Sequence, residues 1–122
     1  MNEMMDKLLA MKLPEPERKD VEVVRLSKLC GAPIIFTLSE LPFSRVTVLG
    51  RLTEDADLHT LVESIVEPKL NDPAFYEGKM GCPTAVEALR KLLRPGEVRA
   101  LIRRFDELEG FGGLALRDVA KK

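Results

Sequence analysis

The chain is predicted to fold as an α+β domain, and three observations predict it. β-branched residues cluster at Val21, Val23 and Val24, and an extended apolar run follows at Ile34, Ile35 and Phe36. Downstream, apolar residues recur at helical spacing in three successive segments, 58–66, 85–93 and 98–108. Ahead of both, a methionine-rich stripe is cut off by Pro14 and Pro16, which cannot continue a helix. Together these predict an N-terminal helical arm, a β-hairpin and then a bundle of three to four short helices. The expected organisation is an arm and linker over 1–20, a single α+β domain over 21–110 and a flexible tail over 111–122.

The arm comes first. Met1, Met4, Met5, Leu8 and Leu9 fall on one stripe of a helix. Such a helix either docks on its own domain or offers an adaptable surface, since methionine is flexible and polarisable and fits irregular partners. Met4, Met5, Leu8 and Leu9 are therefore the candidate partner-binding residues. The hairpin is expected next, with Val21–Val24 as one strand, Cys30-Gly-Ala-Pro33 as the turn and Ile34–Phe36 opening the second strand. Gly31 supplies the positive φ that such a turn needs, and Pro33 asks for no ladder donor.

Ser39 and Pro42 predict a helix from Glu40 to about Leu49, with Leu41, Val48, Leu49 and Leu52 on one side. The β-branched run Val46, Thr47, Val48 leaves a third strand over 45–49 as the alternative. The next helix is clearer. Leu58, Leu61, Val62, Ile65 and Val66 face a core, whereas His59, Glu63, Ser64 and Glu67 take the opposite face. Asp55 or Asp57 can cap its start, and Pro68 ends it at Glu67. A loop over 71–83 should follow, with Phe75 and Tyr76 closing over the core.

Thr84 and Glu87 form a capping box, so a helix starts at Ala85 and runs to Arg94 with Val86, Leu89, Leu92 and Leu93 inward. Pro95 suits the first position of a last helix, and Val98, Leu101, Ile102, Phe105 and Leu108 make its core stripe. Gly110 is the natural stop. No internal repeat appears.

At 122 residues the chain can bury roughly two thirds of the surface that it exposes unfolded, enough for one core. Its 45% hydrophobic and 32% charged content excludes a disordered or fibrous chain. The 19 basic and 20 acidic side chains nearly cancel, so no overall field attracts nucleic acid or an anionic membrane. No apolar run reaches the ~20 residues of a membrane span, and Glu3 and Asp6 stand where a secretory leader is apolar, which predicts a cytoplasmic protein.

Catalytic, metal and cofactor roles find little support. The only histidine, His59, lies on a polar helix face, and Cys30 and Cys82 are distant from each other, expected as buried thiols. Glu54, Asp55 and Asp57 crowd a helix start, where capping accounts for them. Gly110-Phe-Gly-Gly lacks the strand, the helix and the lysine of a phosphate loop. Arg90, Lys91, Arg94, Arg99, Arg103 and Arg104 gather on the last two helices and suggest a helix-turn-helix-like DNA binder. Interspersed acids, including Glu107 one turn after Arg103, favour a solvated face instead.

Three segments in order carry a resemblance: Ile65-Val-Glu-Pro-Lys-Leu-Asn-Asp-Pro73, Leu92-Leu-Arg-Pro-Gly-Glu-Val98 and Glu107-Leu-Glu-Gly-Phe111. On these the chain resembles the XkdN-like tail assembly chaperones of contractile-tailed phages and prophages, over most of its length. The hairpin turn departs from that family, in which it is longer and acidic. The resemblance implies a non-enzymatic protein that binds the tape measure protein, prevents its aggregation before the tail tube polymerises and is absent from the virion. It implies self-association and contact with the tail tube protein as well. Such chaperones often have a frameshifted long form, for which two lysine codons at Lys121-Lys122 can form a run of adenines. The competing reading from the residues alone is a helical adaptor or oligomerising module unrelated to tails.

Overall fold

The structure is a computed structural model, and it describes residues 2–113 and 115–120. Met1, one member of the arm stripe, and Lys121-Lys122 lie outside the described residues. The class is α+β: a three-stranded antiparallel sheet packed on helices, with a helix in front. Helix α1 (Glu3–Ala10) begins where Asn2 Oδ1 accepts the N–H of Met4 at 2.8 Å, a side-chain cap that satisfies one of the free N–H groups of the first turn. Met11 is already extended, and the chain continues through Pro14 and Pro16 without regular structure to β1 (Arg18–Glu22).

The expected antiparallel pair of strands is present, with other bounds and another connection. β1 pairs with β2 (Ile35–Ser39) in register Arg18↔Ser39 to Glu22↔Ile35, so Val23 and Val24 lie beyond the first strand. The two strands are joined by a helix, α2 (Val24–Cys30), and not by a tight turn. Gly31 has the expected positive φ, 69°, but uses it to cap α2. Within the segment 24–30, Leu26 and Ser27 face inward and the Ser27 hydroxyl accepts the N–H of Ile34 at 2.8 Å, which closes the helix back onto β2. Burial of that face outweighs the β preference of the valines.

Helix α3 (Phe43–Gly50) confirms a helix over the third segment, with a later start. Pro42 occupies the N-cap position, and Ser39, expected there, is buried at the end of β2. Leu49 is buried, whereas Val48 and Leu52 remain partly exposed. Helix α4 (Ala56–Ser64) ends earlier than the periodicity predicts, because Ile65–Glu67 is a third strand, β3, paired antiparallel with β2. The loop expected over 71–83 contains a π-helical turn, Ala74–Lys79, whose Phe75 packs against the core.

Helices α5 (Ala85–Leu92) and α6 (Pro95–Leu108) stand close to expectation. The Thr84 hydroxyl accepts the N–H of Glu87 at 3.2 Å, and α5 stops two residues before the predicted Arg94. Beyond α6, Gly110 takes φ 87° while Phe111 N–H donates to Asp106 O at 2.9 Å, closing the helix end. One core joins all these layers: Phe36 and Leu38 from β2, Leu61 from α4, Leu89 from α5 and Leu101 from α6. Among the described residues, no helix is long and apolar enough to cross a membrane.

Candidate functional site

The arm is the first candidate. Helix α1 buries none of its residues: Met4 is 69%, Met5 52%, Leu8 58% and Leu9 76% exposed. Beyond the helix, Met11 and Leu13 are exposed as well. Of the two fates open to this helix from its sequence, docking on its own domain is not the one seen. The helix is held by its cap and by an exposed Lys7–Glu3 pair at 3.8 Å, neither of which stabilises it much. An exposed apolar stripe on a marginal helix is a surface that gains by being covered.

A second candidate was not legible in the sequence. A groove of about 800 Å³ opens between the end of β1, α2 and α6. Its apolar lining comes from Val21, Val23, Val24, Ala100 and Leu101, and its charged lining from Glu22, Arg25, Lys28, Arg94, Glu97 and Arg104. These residues lie far apart in sequence, and only α2, which the β-branched valines disguised, brings Val24 and Lys28 opposite Ala100 and Arg104.

The groove's geometry is set by one clasp. Arg25 Nε lies 3.1 Å and Nη2 2.8 Å from the two carboxylate oxygens of Glu97, and Nη2 also donates to Leu92 O at 2.7 Å. Glu97 in turn accepts the N–H of Arg94 at 2.7 Å, so one carboxylate ties α2 to the junction between α5 and α6. The hydrogen bonds from Arg25 hold the Glu97 carboxyl below the usual carboxylate range, and they raise Arg25 above the ordinary guanidinium value. A carboxyl whose folded pKa is depressed adds stability above its unfolded pKa, and loses it as pH falls through the folded value. Glu97→Gln is therefore expected to lower Tm at neutral pH and to flatten the acid side of a Tm-against-pH profile. An unchanged slope between neutral pH and pH 3 would contradict this role.

His59 is exposed on α4. Cys30 is exposed and not buried as expected, since it ends α2 on its outer side; Cys82 is half-buried, and both are free thiols. Asp55 sits at the start of α4 with φ 55° and makes no side-chain cap; its carboxylate receives the Arg90 guanidinium instead. Arg90 also lies 3.6 Å from Glu87. Glu107 pairs with Lys19 at 3.2 Å, not with Arg103. Arg45 and Glu63 form a two-pronged pair, at 2.9 and 2.6 Å, between α3 and α4. Among the described residues, no three His, Cys, Asp or Glu side chains are grouped to hold a metal ion.

Comparison with known proteins adds a fold. The chain is similar to the crystal structure of the protein YqbN, a structural genomics target, with a TM-score of 0.63 and 21% identity over 83% of this chain and 91% of that one. At that identity the likeness speaks for the fold alone. No family model and no curated protein matches the chain.

Proposed function

We propose that the chain is a tail assembly chaperone similar to the XkdN-like family, which binds the tape measure protein and keeps it from aggregating before the tail tube polymerises. The observation that carries this reading is the uncovered stripe Met4, Met5, Leu8 and Leu9 on α1. A tape measure protein is a long helical client, and a flexible methionine-leucine surface fits apolar helical stripes of varied shape. The ordered segments from Ile65 to Phe111 supply the family, and the exposed arm supplies a means of binding. The role is one of covering apolar surface without catalysis or cofactor, in the host cytoplasm, with release before the virion is complete. Self-association and contact with the tail tube protein belong to the same proposal.

Co-expression with the tape measure protein of the same operon tests it. The client is expected in the soluble fraction, co-eluting with the chaperone on size exclusion. Leu8→Glu with Leu9→Glu places two charges in the stripe and is expected to reduce the co-eluting client at least about tenfold, since burying an unpaired charge costs far more than the apolar contact it replaces. The proposal fails if the client's solubility is the same with and without the chaperone and no complex elutes.

A further inference from the structure

The arm and the groove are complementary. The groove pairs an apolar lining with Lys28, Arg94 and Arg104, which have no carboxylate partner among the described residues. Arg25 and Glu97 neutralise each other, which leaves Glu22 as the one opposing acid of the lining. In the arm and its linker over 2–17, Glu3 and Lys7 pair with each other, and Asp6, Glu15 and Glu17 stand against Lys12, an acidic excess of two beside an apolar stripe. An amphipathic helix in an apolar groove of opposite charge is a recurrent mode of recognition.

The linker decides whose groove receives the arm. Residues 11–17 leave α1 in extended geometry, with φ −71° and ψ 150° at Met11, and contain Pro14 and Pro16. Proline-spaced extended chain behaves as a semi-rigid spacer, so it projects α1 away from its own body and disfavours folding back. We propose that the groove between α2 and α6 seats the α1 arm of a second copy of this chain, and that two copies exchange arms reciprocally. A two-fold arrangement makes both contacts at once, so each protomer covers the other's stripe. The exchange covers, in the absence of a client, the stripe that the proposed function assigns to the client, so a client's helix and the partner's groove compete for it.

Sedimentation velocity of the full chain over a dilution series, without a client, is the experiment. The wild type is expected to dimerise. Lys28→Glu with Arg104→Glu reverses the groove, and Glu3→Lys with Asp6→Lys reverses the arm; each variant alone is expected to dissociate about tenfold more readily or worse. Lys28 and Arg104 are exposed, so far-UV circular dichroism of the groove-reversed variant should be unchanged. An equimolar mixture of the two variants restores both complementary contacts and is expected to recover a heterodimer, which folding of each arm into its own groove could not produce. A wild type that stays monomeric, a dimer indifferent to both reversals, or a mixture without recovery overturns the proposal. The groove-reversed variant leaves Leu8 and Leu9 intact, so its client solubilisation separates failure of arm exchange from failure of the chaperone reading.

Discussion

Phe36→Ala is expected to lower the unfolding free energy by about 4 kcal/mol and the midpoint by on the order of 15 °C. Phe36 is 1% exposed on β2, the central strand of the sheet, and belongs to the cluster that joins Leu61 of α4, Leu89 of α5 and Leu101 of α6. Its removal takes away the largest fully buried side chain among the described residues and leaves a cavity that several elements line, so no single one can move in to fill it. Urea titration followed by circular dichroism measures the loss. Phe43→Ala is the internal control: at 89% exposure the same chemical change should cost no more than about 0.5 kcal/mol. Equal losses at the two positions would mean that the sheet does not lie at the centre of the core.

The helical half of the fold was legible because its signals are local. Thr84, Pro95 and Gly110 each mark a helix end through the backbone groups they satisfy or lack, and α5 and α6 lie within two residues of where those marks put them. The sheet was only half legible, for the opposite reason. β1 reads Arg-Lys-Asp-Val-Glu, with a single apolar residue, because one edge and much of one face meet solvent; it is a strand by virtue of β2 beside it and carries little signal of its own. The three valines that resemble a strand belong to its end and to the start of α2, where Leu26 fixes the helix by burial.

The candidate site divides along the same line. The arm stripe was readable from spacing alone, and the structure places all four residues in solvent as one surface. The groove was not, since Val24 and Lys28 meet Ala100 and Arg104 only after α2 has formed between two strands. A residue pattern of the kind that finds metal sites or phosphate loops has no counterpart for a groove whose walls lie some seventy residues apart in the chain.

The passage from α4 to β3 holds the second large effect. Periodicity continues unbroken from Leu58 to Val66, yet the helix stops at Ser64, a residue that the pattern assigns to the polar face and that is 0% exposed. Glu40 N–H donates to Glu17 O at 3.0 Å, so by strand alternation the carbonyl of Ser39 is turned away from β1. The Ser64 hydroxyl donates to it at 2.9 Å and anchors the helix end beside β2, from which Ile65 can pair with Leu38. Ser64→Ala removes the donor and leaves a buried carbonyl without its partner, which is expected to cost about 2 kcal/mol. Ser39→Ala is the contrast, because the Ser39 hydroxyl reaches only the carbonyl of the next residue, Glu40, at 3.1 Å and should cost less than half as much. Hydrogen exchange locates the effect: loss of protection in Ser64→Ala should concentrate at β3 and the last turn of α4 before it spreads to the rest of the core. Uniform loss across the molecule would mean that the hydroxyl serves the core as a whole and does not decide where the helix gives way to the strand.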